Sequence, residues 1–492
     1  MESNTTIYVI IGIYMLAMIG IGLYAKRKIK NSEDYHLAGR RLGPIMLAGT
    51  LAATEIGGGS SVGVAAKAYG AWGVSAGWYV VATGLGIFLV SFIAPFMRRA
   101  LATTVPEIIG RRYGQASYLI TAILSLFALV ALGAAQITAT ATIVHVLTGF
   151  NSTYATIISG VIVVFYTWLG GMWSVTLTDF VQFFLIVFGF AIAIPVALSM
   201  LDGGWQFVVQ RVPAQQFEFT HLGWKTIIGL TVMYFMTFAT GQEAVQRYYS
   251  ARNERVALVG SLLCSLFMAL YAFIPAVLGL IALAAFPDIN PNNALAMVSS
   301  GLLPPVIAGL LLAAVISATL SSASGDLLGA ASIYTRDIHR HYVAQSMTPE
   351  QELILSRAVV LVTGLLSIAL ALWRGEIISL LMFAFTLRAT GPFAAYLFAL
   401  LWERATPHAG LWSILFGCAA GLAWQLAGEP YGIMAIIVGS LVSLVVFLGV
   451  AWIERCLGIA PAPSAYLTDS PAQGRGRHDQ AGVRSSIYRR ER

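Results

Sequence analysis

The chain has 492 residues, 58% of them hydrophobic and 10% charged, with a mean hydropathy of +0.79; soluble domains carry about 25% charged residues, so an integral membrane protein is indicated. The apolar runs are helix-length and do not alternate with polar residues, which excludes a β-barrel pattern, and the three cysteines (Cys264, Cys418, Cys456) have neither disulfide nor zinc spacing. The formal charge of +7 sits in short loops and a basic tail, the pattern of cytoplasmic loops rather than of a nucleic-acid surface.

Residues 1–8 lack the basic stretch of a cleavable leader, and the first apolar run, about 7–25, is followed at once by Lys26, Arg27, Lys28 and Lys30. That order predicts a retained first span with an external N-terminus. The ~20-residue rule gives about thirteen spans, roughly 7–25, 44–69, 75–97, 117–147, 154–173, 178–200, 226–246, 257–285, 305–330, 357–373, 378–402, 409–427 and 431–453. Basic residues cluster at 26–41, at Arg98, Arg99, Arg111 and Arg112, at Arg247, Arg252 and Arg255, at Arg336 and Arg340, at Arg404, and in the tail. An odd number of spans puts all of these on one side, leaving Arg211, Lys225 and Arg374 opposite. The expectation is a multi-pass cell (inner) membrane protein with its N-terminus outside and its C-terminus in the cytoplasm. The loop 201–224 and the Pro-containing stretch 286–304 then lie outside, the latter as a cover over an outer vestibule. The tail from about 461 is rich in Gly, Ser, Pro and Arg, is expected to be disordered, and is too short for a catalytic domain.

The second span is broken. Glu55 is followed by Gly57, Gly58 and Gly59 at the depth of greatest apolarity. Each glycine weakens a helix by about 1 kcal/mol relative to alanine, and a lone carboxylate in hydrocarbon needs a partner, a proton or a wet cavity. Unwound backbone at membrane depth survives only where protein or a water-filled site satisfies it, and its freed carbonyls can hold a small cation. The segment points to ion-coupled transport. A second interruption, Thr237-Phe-Ala-Thr-Gly-Gln-Glu243, lies five spans later, the spacing of two five-helix units of inverted topology.

The ninth span reads Ser317-Ala-Thr-Leu-Ser-Ser-Ala-Ser-Gly-Asp326. Ser317, Ser321, Ser322 and Ser324 share a broad helical face, a hydroxyl cluster able to meet unwound carbonyls around a hard cation. Serines also line ordinary transmembrane interfaces; Glu55 and the glycine break in the same chain tip the balance toward an ion.

On these residues the chain resembles the sodium:solute symporters, the group of proline, sugar, sialic acid and pantothenate transporters. The likeness covers nearly the whole chain, through Asp34-Tyr-His-Leu-Ala-Gly-Arg-Arg-Leu-Gly43, Thr54-Glu-Ile56, Trp168-Leu-Gly-Gly-Met-Trp-Ser-Val-Thr-Leu-Thr-Asp179-Phe-Val-Gln182, Gly241-Gln-Glu-Ala-Val-Gln-Arg247 and Ser317 to Asp337. It implies an all-α fold with a LeuT-like core of ten helices over 44–402, in inverted repeats of about 44–200 and 226–402. An extra span and loop (1–43) would precede the core, and two accessory spans (403–460) and the tail (461–492) would follow. It also implies a sodium site from the backbone carbonyls of Ala53, Ile56 and Ala318 and the hydroxyls of Ser321 and Ser322. A second ion near Asp179, with serines of the ninth span, is implied for some members; Ser324 matches that pattern, Gly325 departs from it, and Asp326 stands beside it as a substitute. Glu55 falls where proline-type members carry Asp and a sugar-type member Asn.

Among the remaining candidates, Asp179 reads either as a gating or second-ion group or as a helix N-cap. Arg388 is the only arginine well inside a predicted span. It is a carboxylate clamp or the partner of an internal acid such as Glu55 or Asp326. Gln136, Phe235 and Gln242 lie on spans that would wall a substrate pocket, Lys67 snorkels at the outer end of the second span, and His145 belongs to no metal-like spacing. No phosphate loop and no nucleophile–base pair appears, so neither an ATP-driven pump nor an enzyme is expected. The reading is a symporter with Na+ as coupling ion, a small polar solute (a carboxylate or amino acid) as cargo, membrane lipid around it, no nucleic acid, and a monomer or weak homo-oligomer. A proton-coupled permease of the same fold and a transporter-like sensor with a separate partner are the alternatives.

Overall fold

The computed structural model describes residues 2–29, 32–169, 171–373 and 376–466. Lys30, Arg374 and residues 467–492 of the expected tail lie outside them. Among the described residues the chain is helical, and its one extended pairing is an isolated bridge between Leu42 and Ala251. Among the described residues nine helical stretches are long and apolar enough to cross a membrane, or ten if Ile377–Ala389 and Pro392–Leu401, bent by 50°, make one span. Length and apolarity alone therefore do not reproduce thirteen. The expected spans 44–69 and 226–246 are broken, and Ser152–Trp168 is apolar but short.

The serine-bearing helix Pro305–Ile333 is the centre of the bundle. Every residue from Leu311 to Ile333 is buried, its serines and Asp326 included, as expected of a helix surrounded by other helices. It packs on Met172–Ser199, Gln115–Thr148, Glu2–Lys26 and Pro349–Trp373. Glycines let these neighbours close in: a Cβ on Gly189 would meet that of Ala314 at 2.8 Å, and one on Gly133 would meet the Ser367 hydroxyl at 2.7 Å. Large side chains such as Leu16, Phe127, Phe188 and Leu270 instead point outward, an apolar rim suited to lipid.

The first broken span starts with Pro44 at the head of Pro44–Glu55 and leaves helical geometry at Ile56, where ψ is 68°. The chain then turns through a wide helical loop at Gly59–Gly63 before Val64–Lys67 resumes the span. The freed backbone groups find partners nearby. Ser60 Oγ donates to the Glu55 carbonyl (2.9 Å), Ser61 Oγ to that of Gly57 (2.6 Å), and the Gly58 N–H donates to Gln136 Oε1 (2.7 Å). Side chains are excluded here because a Cβ on Gly57 would lie 2.5 Å from Ser322 Oγ, and one on Gly58 2.4 Å from the Ala139 Cβ.

The second broken span runs Trp224–Thr240, Gly241 in extended geometry (ψ 116°), then Gln242–Ser250. A third break, not expected from the hydropathy, separates Ile377–Ala389 from Pro392–Leu401; proline cannot complete the ladder there.

Several arginines tie loops together at one end of the bundle. Arg40 donates to the carbonyls of Tyr249, Leu101 and Ala102 (each 3.1 Å), and Arg112 to those of Trp402 (2.6 Å) and Ala462 (2.8 Å). At the same end His36, in Ser32–Leu37 between the first two spans, is buried and its Nδ1 lies 2.8 Å from Ser332 Oγ. Burial pushes its pKa down to about 4 against the raising effect of Glu352, so it packs as a neutral ring.

Gly58→Ala should destabilise the protein by about 1–3 kcal/mol through overpacking at the break. Gly12→Ala, whose new Cβ meets nothing within 4 Å, should be neutral or slightly stabilising. Thermal unfolding in detergent checks the pair; equal midpoints would show that the break tolerates a side chain.

Candidate functional site

Where the two broken spans meet the serine helix and Ile377–Ala389, they line a small, partly open cavity. Its polar wall includes Glu55, Gln136, Glu243, Ser322, Asp326 and Arg388, and its apolar wall includes Tyr79, Tyr234, Phe238 and Phe385. Four of the expected substrate or coupling residues (Glu55, Gln136, Asp326, Arg388) thus come together. Gln136 does double duty, lining the cavity while it caps the Gly58 amide freed by the break.

Beside the cavity, the serine helix is stitched to the first break through uncharged oxygens. Ser321 Oγ lies 2.7 Å from the Ala53 carbonyl and 3.0 Å from that of Ala318. Ser322 Oγ lies 2.5 Å from the Thr54 carbonyl and 3.1 Å from that of Ala318. Ile56 is fully buried next to them, its carbonyl turned out of the helical direction by the break. Carbonyl and hydroxyl oxygens converging without a carboxylate are a donor set for a hard monovalent cation.

The sodium:solute symporter family pattern matches residues 35–417. The chain belongs to that family. Its curated relatives include the osmoregulated proline transporter OpuE of Bacillus subtilis (strain 168), 25% identical over 490 residues with 94% of this chain and 96% of the relative covered. Another is the sodium/proline symporter of Salmonella typhimurium (strain LT2), 25% identical, with 87% and 89% covered. Among solved structures, a Na+-coupled sialic acid symporter in a substrate-bound outward-open state superposes with a TM-score of 0.80 at 21% identity, covering 93% of this chain and 99% of that one. The nucleobase-cation-symport transporter Mhp1, closed on bromovinylhydantoin, gives 0.57 at 16% identity, covering 89% and 98%. These likenesses show the fold: an all-helical, LeuT-like transporter rather than an enzyme, with sodium as the coupling ion of the family.

In this symporter Asp179 sits well inside Met172–Ser199, not at its start, so the N-cap reading does not hold. Its carboxylate is fully buried and already engaged, by Arg247 Nη2 (2.9 Å), Thr50 Oγ1 (2.6 Å) and Thr54 Oγ1 (3.4 Å). Arg247 also donates to Thr50 Oγ1 (3.1 Å) and to the Glu243 carbonyl (2.6 Å). The network pins both broken spans to Met172–Ser199. Ser324 turns back to the Ser321 carbonyl of its own helix (2.9 Å), and a Cβ on Gly325 would face both terminal nitrogens of Arg247 at 3.3 Å. The space that a serine would fill there borders a guanidinium. Asp326 turns into the cavity instead.

Arg388 pairs with neither Glu55 nor Asp326. Nη1 meets Glu243 Oε1 at 2.5 Å and Nε donates to Thr237 Oγ1 at 2.9 Å, while the guanidinium lies 5.0 Å from the Phe385 ring centre. Glu243 is the functional candidate the sequence reading missed, although its signal was visible: an acid one residue from a helix break. Its neighbour Gln242 points elsewhere, as adjacent helical residues must. It bonds the Thr103 carbonyl and the Val105 amide, both at 3.0 Å. Phe235 packs edge-on against Phe393 and is not part of the cavity wall. Lys67 lies 3.4 Å from Glu376 Oε1 at the end of its span, and His145 bonds the Phe150 carbonyl.

Asp179→Asn should cost about 3–5 kcal/mol of stability by leaving Arg247 buried without its counter-charge, and adding Arg247→Gln should recover part of the loss. Thermal or denaturant unfolding of the single and double variants checks this; additive losses would mean that the two side chains do not act as a pair.

Proposed function

We propose that this symporter carries a small amino-bearing solute together with sodium by alternating access, with sodium bound by the carbonyls of Ala53, Ile56 and Ala318 and the hydroxyls of Ser321 and Ser322. The observation that carries the reading is the convergence of uncharged oxygens between the first break and the serine helix, one residue from the cavity-lining Glu55. An ion there links two elements that must separate when the cavity opens, so it favours the state in which the solute site is assembled. Coupling then follows from the difference in sodium affinity between states.

The solute class follows from the cavity. A pure carboxylate would have to compete with Glu243 for Arg388, whose Nη1 and Nε are already committed; one remaining nitrogen, Nη2, has no hydrogen-bond partner. An amino group meets several acids. A solute with an amino group therefore fits better than an organic acid. We place the transport core at 44–402, with a helix break in the first span of each inverted unit, and take the arginine-tied end of the bundle as cytoplasmic under the positive-inside rule.

Ser322→Ala and Ser321→Ala should each raise the sodium concentration for half-maximal thermal stabilisation at least tenfold, at constant ionic strength held with potassium. Wild-type sodium titrations for both variants would refute the site.

A further inference from the structure

We infer that the transported solute carries a net positive charge: the cavity is built for a compact organic ammonium. The inference rests on the sodium site proposed above and adds the charge that the solute itself must bring.

The charged groups facing the cavity come from four elements. Glu55 stands on the first broken span, Glu243 on the second, Asp326 on the serine helix and Arg388 on Ile377–Ala389. Arg388 is matched by Glu243, and Arg247, behind the wall, is matched by Asp179. Glu55 and Asp326 are left without a basic partner. Oε1 of Glu55 and Oδ2 of Asp326 are buried and accept no hydrogen bond from the protein, and Asp326 is only 3% exposed.

Two carboxylates in one low-dielectric chamber repel each other, and where both stay ionised they call for two positive charges. Sodium in a neutral ligand set supplies one. A zwitterion adds none and an anion worsens the balance, so a solute of charge +1 closes it.

The aromatic part of the lining is chemically suited to the same cargo. The ring of Tyr234 lies 5.3 Å from that of Tyr79, 5.2 Å from that of Phe238 and 5.8 Å from that of Phe385, and all four line the cavity. Aromatic faces around a desolvated ammonium are the recurring device for binding alkylated amines. Two unpaired acids and four rings in one lining define an ammonium pocket, and its one arginine already has two of its nitrogens committed to Glu243 and Thr237.

The test uses the full-length purified protein and size-matched ligand sets of differing charge. One set is prolinamide (cation), proline (zwitterion) and cyclopentanecarboxylate (anion); the other is choline and glycine betaine. Each is titrated by thermal stabilisation in sodium and in potassium. The expected result is that at least one cation half-saturates at a concentration at least tenfold below its zwitterionic counterpart, in sodium, while the anion gives no shift. Asp326→Asn should weaken that cation tenfold or more, and by a larger factor than it weakens sodium in the solute-free titration; should that variant fail to fold, Glu55→Gln should weaken the same cation tenfold or more.

A zwitterion that binds as tightly as its cation, or no response to any cation, overturns the proposal. So does a zwitterion response that grows as the pH falls, because a proton then supplies the second charge. Loss of the solute-free sodium response in Asp326→Asn would place that acid in the ion site and overturn its assignment to the solute. Cation binding indifferent to sodium would instead overturn the coupling reading and leave the charge preference standing.

Discussion

Three residues of interrupted helix, Ile56 to Gly58, organise this protein. A helix that stops at membrane depth leaves amides and carbonyls that lipid cannot satisfy, so the surrounding helices must supply partners. Gln136 supplies one from Gln115–Thr148, Ser60 and Ser61 supply two from within the loop, and Ser321 and Ser322 reach the last carbonyls of Pro44–Glu55 from the serine helix. Each of these partners is a polar residue on an otherwise apolar span. The need to satisfy the break also explains why glycine is required there. Its neighbours approach so closely, with Ser322 on one side and Ala139 on the other, that a Cβ would push them away.

The buried charges follow from the same geometry. The second broken span carries both an acid, Glu243, and an arginine, Arg247, and each is matched by an opposite charge on a neighbouring helix. Arg247 locks Asp179 and Thr50, while Arg388 locks Glu243 and Thr237. Breaking either pair would strand a charge where desolvation is severe, so these pairs act as fixed fittings that hold the broken spans in place. Glu55 and Asp326, which have no such fitting, are the acids left to interact with what enters the cavity.

Much of this was legible in the residues. Glu55 followed by glycines, and the serine run with Asp326, announced the break and its partner because membrane depth makes each of them expensive without a reason. The second break was legible at Gly241, and its spacing of five spans from the first supplied the pairing of the two. Side-chain direction was not legible. Hydropathy locates a residue along a span but not around it, so Gln242 and Phe235 were grouped with the pocket although they face the Thr103 turn and Phe393. The partner of Arg388 was missed for a related reason: Glu243 lies more than a hundred positions away in sequence, and only the fold brings it within 2.5 Å. The bend between Ala389 and Pro392 escaped notice because one proline in an apolar run barely lowers its hydropathy.

The hydroxyl–carbonyl contacts at the proposed ion site suggest how binding and motion are linked. Ser321 and Ser322 satisfy carbonyls of the first break by donating protons to them. A cation accepts lone pairs, so the same hydroxyls must rotate and give up those hydrogen bonds before their oxygens can face it. The exchange is close to even for the serines, since each can donate instead to a carbonyl of its own helix, Ser317 for Ser321 and Ala318 for Ser322. It is not even for the broken span. Its carbonyls trade a hydrogen bond to a hydroxyl that can swing away for an ion shared with the serine helix. That difference ties the position of the first broken span to sodium. Because Glu55 is the last residue before the break, the same displacement moves a cavity wall, and the ion and the solute therefore read one structural variable.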